Sequence, residues 1–264
     1  MFECLTTINE EKMKIVEERI SQHFQLYTNF SMNNPIRLYV RFVFVHDGMN
    51  GIISSDKRRR VVNALAKAFS SRFVFNHIDL NDQGLYCPDY FRLLKDSEEE
   101  RYIKAKTQRD PNVYLHIYSA DTFDGAKYRN WSSFPWELED DPVMDGVVVD
   151  YRNIENEESY HWIIHEVGHW FGLVHTFENG CNPPGDYVDD TEAHSDEIRG
   201  CPPEGIHNAC PGEKRAPINN YMNYTDCKDT FTLGQIERIF RVTKVYRPKL
   251  LEPEVCIPPC PPPM

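Results

Sequence analysis

The stretch HEVGHWFGLVH, which begins at His165, restricts the fold of this chain more than any other part of its sequence. On a helix, His165 and His169 lie four residues apart, so their imidazoles project from one face. Glu166 lies one residue further along the same turn. Gly172 can adopt a positive φ and end the helix, which lets His175 approach from a third direction. The pattern therefore predicts a helix, a turn and three imidazoles that meet at one point.

These three histidines, His165, His169 and His175, have the composition of a catalytic zinc site. Catalytic zinc is held by three protein ligands with one open position, whereas structural zinc is closed by four. The carboxylate of Glu166 is placed to take a proton from the water that attacks a scissile carbonyl and to return it to the leaving amine. An amphipathic helix with incidental histidines is the alternative, and it leaves the glycine and the third histidine to chance. The motif therefore predicts a zinc-dependent hydrolase.

Composition and charge limit the partners of the chain. Its 264 residues carry 29 Lys and Arg against 41 Asp and Glu, which gives a net charge of -12. That balance disfavours nucleic acid, and no basic stripe contradicts it. The longest apolar runs, such as residues 42–45, have the length of a strand, so we expect no membrane span. Eight cysteines fit an oxidising compartment, and we expect a secreted monomer, although no apolar leader follows Met1.

Hydrophobic periodicity divides the chain into three parts. We assign residues 1–35 to an N-terminal segment, a candidate remnant of a pro-segment, residues 36–250 to one catalytic domain and residues 251–264 to a Pro- and Cys-rich tail. Within the domain, the N-lobe extends to about residue 175 and the C-lobe covers about 176–250. The last helix starts with a Thr-x-x-Gln capping box. The predicted strands are 36–47, 73–78, 113–118 and 147–149, and the predicted helices are 57–71, 89–106, 159–172 and 232–246.

Three segments together resemble the pappalysin (cytophagalysin-like) branch of the metzincin zinc metalloproteases, which includes secreted fungal enzymes and the archaeal ulilysin. They are the zinc motif, the sequence NNYMNYTDC over Asn219–Cys227 and the sequence FTLGQ over Phe231–Gln235. The resemblance covers roughly residues 36–246. It implies an α+β, metzincin-type zincin fold, in which a twisted mixed β-sheet with helices is followed by an irregular, disulfide-linked C-terminal lobe with a final helix. It also implies a secreted zinc endopeptidase that acts on proteins or peptides.

The resemblance assigns roles around the zinc. Met222 corresponds to the Met-turn residue, whose thioether packs beneath the three imidazoles as an apolar floor. Tyr224 corresponds to a tyrosine whose hydroxyl lies near the zinc, where a phenol can hydrogen-bond the oxyanion of a tetrahedral intermediate. The same likeness pairs Cys181 with Cys201 and Cys210 with Cys227.

Two loops carry further implied sites. Asp186, Asp190 and Thr191 correspond to a family loop that binds calcium, and carboxylate and hydroxyl oxygens are the donors that Ca²⁺ prefers. An acidic loop in solvent is the alternative. Asp226 lies in the segment that shapes the S1′ pocket, where an aspartate selects Arg or Lys in some members. This segment is shorter here than in the usual family pattern, so selection by Asp226 is open.

Cys4 raises the question of latency. The sequence CLTT, which begins at Cys4, resembles a Cys-Gly-Thr segment whose cysteine is placed on the zinc in a latent form, with Leu5 in place of the glycine. A disulfide from Cys4 to Cys87 or to the tail is the alternative, and the partners of Cys256 and Cys260 also stay open. Besides an active protease, the sequence therefore allows a latent form or a non-catalytic secreted binding protein. Loss of the motif glutamate would mark the latter, and that glutamate is present.

Overall fold

This computed structural model describes residues 2–26, 34–69, 72–195, 197–203, 209–210 and 215–252. Cys256 and Cys260 of the tail therefore lie outside the described residues. The elements within these ranges are, in order, β1 (Phe2–Cys4), α1 (Glu10–Leu26), β2 (Ile36–His46), α2 (Ser55–Ala68), β3 (Phe73–His77), β4 (Gln83–Tyr86), α3 (Glu98–Thr107), β5 (Tyr114–Ala120), β6 (Tyr128–Ser132), β7 (Val147–Asp150), α4 (Tyr151–Glu155), α5 (Tyr160–Trp170) and α6 (Leu233–Tyr246).

The strands of the described chain form one mixed sheet. Its order is β1-β6-β7-β5-β2-β3, and β4 pairs with the second half of β2. All pairs are parallel except β6 with β7, which are antiparallel. Strand sterics give such sheets a right-handed twist. The predicted twisted mixed sheet is therefore confirmed, with β6 and the N-terminal strand β1 at one edge.

Helices cover both faces of the centre of the sheet. β5 is buried along its whole length, and in β2 the side chains of Leu38, Val40 and Phe42 are at most 1% exposed. Parallel strands covered on both sides have near-continuous apolar sequences, which is why these two strands were predictable. α2 starts earlier than predicted because the Ser54 side chain accepts the backbone N–H of Lys57 (3.3 Å) and caps the helix.

α5 contains the first two histidines and is fixed against the sheet. Every residue of α5 except His161 is buried. Val167 and Trp170 belong to the apolar cluster that α5 forms with β2, β5 and β7. At the end of the helix, the indole N–H of Trp170 donates to the Asp145 carboxylate (3.2 Å), which also pairs with the buried Arg247. Apolar packing and this polar contact together set the position of the helix.

α6 closes the C-lobe and begins where the sequence predicts. The Thr232 hydroxyl accepts the backbone N–H of Gln235 (3.1 Å), and the Gln235 side chain accepts the N–H of Thr232 (2.9 Å). The predicted capping box is therefore confirmed. The Asp190 carboxylate adds to the cap, since it accepts the Thr232 hydroxyl (2.6 Å) and the N–H of Gly234 (2.8 Å).

The predicted helix over 89–106 was wrong in its first half. α3 begins only at Glu98, and Ser97 caps it by accepting the N–H of Glu100 (3.2 Å). Asp96 has a φ of 60°, a left-handed conformation that a continuous helix cannot contain. Of the elements absent from the predicted strands and helices, β1, β4, β6 and α4 are short and make little periodic pattern, and α1 lies in the N-terminal segment.

The N-terminal segment packs against the rest of the chain through both of its elements. Met13, Val16 and Ile20 of α1 form an apolar cluster with Val242 and Tyr246 of α6. β1 adds a parallel strand to the edge of the sheet at β6. None of the helices in the described ranges has the length and apolar character needed to cross a membrane.

The disulfide pairing Cys181–Cys201 and Cys210–Cys227, inferred from the family resemblance, was wrong. The structure joins Cys181 to Cys210 and Cys201 to Cys227, each with Cα atoms 5.3 Å apart. Spacing in the sequence cannot decide among the ways of pairing four cysteines. The chain path decides it here, because a backbone hydrogen bond of 2.7 Å joins the residues that precede Cys201 and Cys227. Both bridges lie in the C-lobe, as predicted.

Candidate metal centre and active site

The imidazoles of His165, His169 and His175 meet in one buried cluster. His165 and His169 project from consecutive turns of α5, and His175 reaches them from the loop after the helix. The Nε2 atom of His169 lies 3.1 Å from that of His165 and 3.2 Å from that of His175. All three side chains are 5% exposed or less. The structure thus brings the three predicted ligands together.

Backbone carbonyls orient two of these imidazoles. His165 Nδ1 donates to the Tyr221 carbonyl (2.6 Å), and His169 Nδ1 donates to the Leu173 carbonyl (2.7 Å). Burial lowers the pKa of His169 to about 3 and the pKa of His165 well below its usual range, so both rings are neutral. A neutral imidazole with its proton on Nδ1 presents a lone pair on Nε2. Unprotonated nitrogens therefore point at one another, an arrangement that a bound cation stabilises.

The turn between α5 and His175 depends on Gly172. Its φ is 93°, so the predicted positive φ is confirmed, and the backbone N–H of Gly172 donates to the carbonyl of His169 at the end of the helix (2.8 Å). A Cβ at Gly172 would lie 2.7 Å from the side chain of Val242 in α6. The positive φ of this residue and the close approach of α6 therefore both require glycine at position 172.

Met222 lies directly against α5. The side chain is completely buried, and a Cβ at Gly168 would lie 2.5 Å from its sulfur. The Met222 carbonyl accepts the backbone N–H of Thr176 (3.2 Å), the residue after His175. Sequence reasoning identified Met222 and missed Gly168. The available signal was an isolated glycine within an otherwise apolar helix, which commonly marks a close packing contact.

The Glu166 carboxylate is buried and only half satisfied by hydrogen bonds. One oxygen accepts the hydroxyl of Thr6 (3.1 Å), and the other has no hydrogen-bond partner among the described residues. Burial raises the pKa of Glu166 to about 7. A carboxyl group that titrates near neutral pH can accept and return a proton, as a general base requires.

β1 and the residues after it present a thiol and a hydroxyl to this site. Side chains two residues apart lie on one face of a strand, and here they belong to Phe2, Cys4 and Thr6. The Cys4 sulfur lies 3.5 Å from His169 Nε2. The sulfur and one nitrogen of each histidine all lie within 4.8 Å of one another. Cys4 and Cys87 are both free thiols, so the alternative of a disulfide between them is wrong.

Contacts on the other face hold the strand in place. The Glu3 carboxylate lies among three cationic side chains of the described chain, which belong to Lys127 (2.9 Å), Arg129 and Arg199 (2.8 Å). The ammonium of Lys95 donates to the carbonyl of Leu5 (2.8 Å). These four cationic side chains keep the strand on the edge of β6, and those that bind Glu3 are partly exposed to solvent.

Tyr224 contacts both the strand and the histidines. Its hydroxyl donates to the backbone carbonyl of Cys4 (3.3 Å), and its ring lies 4.9 Å from the ring of His175. Burial raises the pKa of Tyr224 above its usual value, so the phenol keeps its proton and remains a donor. The side chain is thus placed to donate to a peptide carbonyl beside the histidine cluster.

The loop after the Met-turn borders a cavity beside α5. Asp226, the predicted pocket residue, is exposed at this cavity, and Trp162, Tyr221 and Lys228 also line it. Lys228 is buried. Sequence reasoning missed Lys228, because a lysine in a loop next to acidic residues usually lies in solvent.

The three residues predicted to bind calcium do not act alike. Asp186 accepts the hydroxyl of Thr191 (2.5 Å) and has one buried oxygen without a hydrogen-bond partner among the described residues. Both oxygens of Asp190 instead bind the N-terminal end of α6. The structure therefore joins Asp186 with Thr191 and engages Asp190 elsewhere.

Sequence comparison places the chain among known peptidases. The family model of M43 peptidases, described as pregnancy-associated plasma protein-A, matches residues 101–244. An extracellular metalloprotease of Neurospora crassa is 33% identical over 209 residues, which cover 75% of this chain and 70% of that protein. Another, of Sordaria macrospora, is 34% identical over 156 residues, which cover 56% of this chain and 53% of that protein.

Solved structures share the fold. A mutant of promirolysin from Tannerella forsythia has a TM-score of 0.75 at 19% identity, and the match covers 94% of this chain and 96% of that chain. Mature mirolysin of the same bacterium, in complex with a cleaved peptide, has a TM-score of 0.66 at 22% identity and covers 84% of this chain and 100% of that chain. The likeness to the precursor thus extends over more of the present chain.

The fold, the buried three-histidine site and the matching relatives define a metal-dependent endopeptidase of the metzincin class. Within that class, the chain belongs to the M43 peptidase, or pappalysin, family. The relatives are extracellular enzymes, which confirms the secretion expected from the cysteines.

Proposed function

We propose that His165, His169 and His175 are the metal ligands of this peptidase and that the metal is zinc. The observation that carries the proposal is the convergence of three buried Nε2 atoms, of which those of His165 and His175 lie within 3.2 Å of that of His169. Imidazole suits Zn²⁺, and three such ligands leave a position for catalysis. When bound, zinc would polarise the scissile carbonyl and lower the pKa of water at that position towards ~7.

Two further side chains complete the chemistry. Glu166 takes a proton from the water whose oxygen attacks the carbonyl carbon, and it delivers that proton to the amine as the C–N bond breaks. Tyr224 donates a hydrogen bond to the carbonyl oxygen as negative charge develops there. Support for the second role comes from its present partner, since Tyr224 already donates to a backbone carbonyl at the histidine cluster.

The same site supports a latent form of the enzyme with the N-terminal segment in place. The Cys4 thiol occupies the position at the histidines that a substrate would need. The Thr6 hydroxyl donates a hydrogen bond to the Glu166 carboxylate, which is the proposed base. β1 covers the edge of β6, where an extended peptide would add as a strand. Proteolytic removal of the segment would expose the histidine cluster, the Glu166 carboxylate and the edge of β6. We therefore take residues 1–35 as a pro-segment and residues 36–250 as the catalytic domain.

We also propose a calcium site near Asp186. Burial raises the pKa of Asp186 to about 7, and a divalent cation at its unpartnered oxygen would offset that desolvation. Without calcium, the folded chain holds a proton on Asp186 more tightly than the unfolded chain, so stability falls as pH rises from about 4 to 7. Added Ca²⁺ should raise the Tm at pH 8, and Asp186→Asn should abolish the increase. An equal increase in both proteins would rule out this site. We also expect a monomer, which sedimentation velocity checks.

Cleavage of a mixed peptide library tests the catalytic assignment. The full chain, trimmed with limiting trypsin, is assayed with and without 1,10-phenanthroline, next to Glu166→Ala and the exposed control Glu237→Ala. We expect the chelator and Glu166→Ala each to lower the rate at least about 100-fold, because both the Lewis acid and the base are needed. Unchanged cleavage by Glu166→Ala would refute the assignment.

A further inference from the structure

A cavity of about 810 Å³ beside the histidine cluster has no role in the chemistry above. Its lining includes His161 and Trp162 of α5, Tyr221, Lys228 and, from the N-terminal strand, Phe2. Phe2 and Cys4 lie on the same face of β1, two residues apart. At about 3.3 Å per residue, the cavity therefore begins about 7 Å along the cleft from the thiol at the histidines.

Lys228 presents an unpaired cation to this cavity. Its side chain is 5% exposed, and its ammonium has no hydrogen-bond partner among the described residues. The ammonium lies 3.5 Å from the centre of the Trp162 ring, which stabilises it partly through a cation–π contact. An ammonium has three donors, and leaving all of them unmade in a buried position is costly. Consistently, burial lowers the pKa of Lys228 to about 7.

The acidic residues that flank Lys228 in sequence, Asp226 and Asp229, do not pair with this cation. Asp226 lines the same cavity but is exposed, and it makes no ion pair with Lys228, although the structure describes both residues. In some family members an aspartate in this segment selects Arg or Lys, and the shortened segment of this chain leaves that role of Asp226 open. Among the described residues that line the cavity, Lys228 carries the one buried charge, whereas Lys67 and the carboxylates of Glu157, Glu158, Asp226 and Asp229 are exposed. A substrate side chain that enters the cavity therefore meets a positive charge at its buried end.

We infer that this pocket, which is lined by Trp162, Tyr221 and Lys228, is closed by Phe2 while the N-terminal segment is in place and is called the Lys228 pocket below, selects an acidic side chain of the substrate. The inference rests on the proposed function, since it needs a peptide along β6 in place of β1. The peptide side chain at the level of Phe2 then enters the pocket. Its carboxylate accepts hydrogen bonds from the Lys228 ammonium, and Trp162 covers its methylene groups.

The test compares three peptides that differ at one position, with Glu, Gln or Lys. A library digest by the trypsin-trimmed full chain first shows at which position relative to the cleaved bond an acidic residue is enriched. At that position we expect kcat/KM to favour Glu over Gln by about tenfold, the effect of one charge-assisted hydrogen bond. Lys228→Met should bring the ratio to about one, Lys228→Arg should keep it, and Lys228→Glu should favour the Lys peptide.

Matched controls separate specificity from damage. Lys244→Gln removes an exposed lysine charge from α6 and should keep the wild-type ratio. Thermal unfolding shows whether each variant folds. If Lys228→Met does not fold, Lys228→Arg keeps the test valid. Two results would overturn the inference: cleavage by the wild type without a preference for the acidic peptide, or an unchanged Glu to Gln ratio of kcat/KM in folded Lys228→Met. Neither result would contradict the proposed peptidase function. No cleavage of any peptide by the trimmed chain would instead overturn the proposed function and this inference with it.

Discussion

The four side chains that meet at the histidine cluster come from regions held in different ways. α5 supplies His165 and His169 from a helix that is buried along all but one residue. β1 supplies Cys4 from an edge strand held by partly exposed ion pairs around Glu3. Burial of a large apolar side chain contributes about 1.5–3 kcal/mol, whereas an exposed ion pair contributes about 0–1 kcal/mol.

This difference separates the proposed permanent ligands, which lie in the core, from the proposed removable ligand on β1. The histidines cannot leave the site without unfolding the core of the N-lobe. The strand that carries Cys4 can leave with the loss of a few surface contacts and of the α1 packing on α6. The three predictions below test this contrast between α5 and β1, from the largest expected effect to the smallest.

Substitution of Cys4 should give the largest change. In Cys4→Ala, the thiol no longer competes with substrate, so we expect the untrimmed chain to cleave a fluorogenic peptide at least about ten times faster than the wild type. Cys87→Ala, which removes the other free thiol of the described chain, should leave the rate low. Mass spectrometry confirms that the chains are intact. Equal rates for all three proteins before trimming would argue against a removable ligand.

Substitution of Gly168 tests how tightly α5 is fixed. A Cβ at this position would lie 2.5 Å from the buried Met222 sulfur, and such overpacking costs about 1–3 kcal/mol. Alanine gains about 1 kcal/mol in helix propensity over glycine. We expect overpacking to exceed that gain, so that Gly168→Ala lowers the free energy of unfolding in urea by about 1 kcal/mol. The double variant with Met222→Ala should show positive coupling, and a stabilised Gly168→Ala would contradict this packing.

Substitution of Glu3 should weaken the hold on β1 with little effect on the core. Glu3→Gln removes the charge that Lys127, Arg129 and Arg199 surround. We expect activation by limiting trypsin to proceed about two to three times faster, in line with the small contribution of partly exposed ion pairs. Glu11→Gln changes an exposed charge on the same segment and serves as the control. Identical activation by the wild type and both variants would show that these cations do not hold the strand.

The same contrast explains what the sequence could predict. His165, Glu166 and His169 follow from helical spacing, because a buried helix fixes which side chains share a face. His175 follows from its place after the turn that ends the helix. Gly172 follows from the need for a turn. Long apolar strands such as β2 and β5 follow from their burial on both sides. The central part of the fold and the proposed metal ligands are therefore local properties of the chain.

Contacts between segments that are distant in the sequence could not be predicted in this way. The edge strand β6 is short, and its pairing with β1 depends on three residues at the start of the chain. The disulfide pairing depends on how the C-lobe loops return past one another. Gly168 against Met222 and Lys228 against Trp162 are likewise tertiary contacts. Hydrophobic periodicity contains no information on any of them.

X-ray absorption at the zinc edge tests the central claim, that the N-terminal segment supplies a removable fourth ligand. We expect the zinc-loaded full chain to show one sulfur neighbour at about 2.3 Å together with nitrogen neighbours at about 2.0 Å. After trimming with trypsin, and in untrimmed Cys4→Ala, the sulfur neighbour should disappear and an oxygen or nitrogen should replace it. A full chain whose zinc has only nitrogen and oxygen neighbours would contradict the account, because Cys4 would then lie beside the histidines without binding the metal.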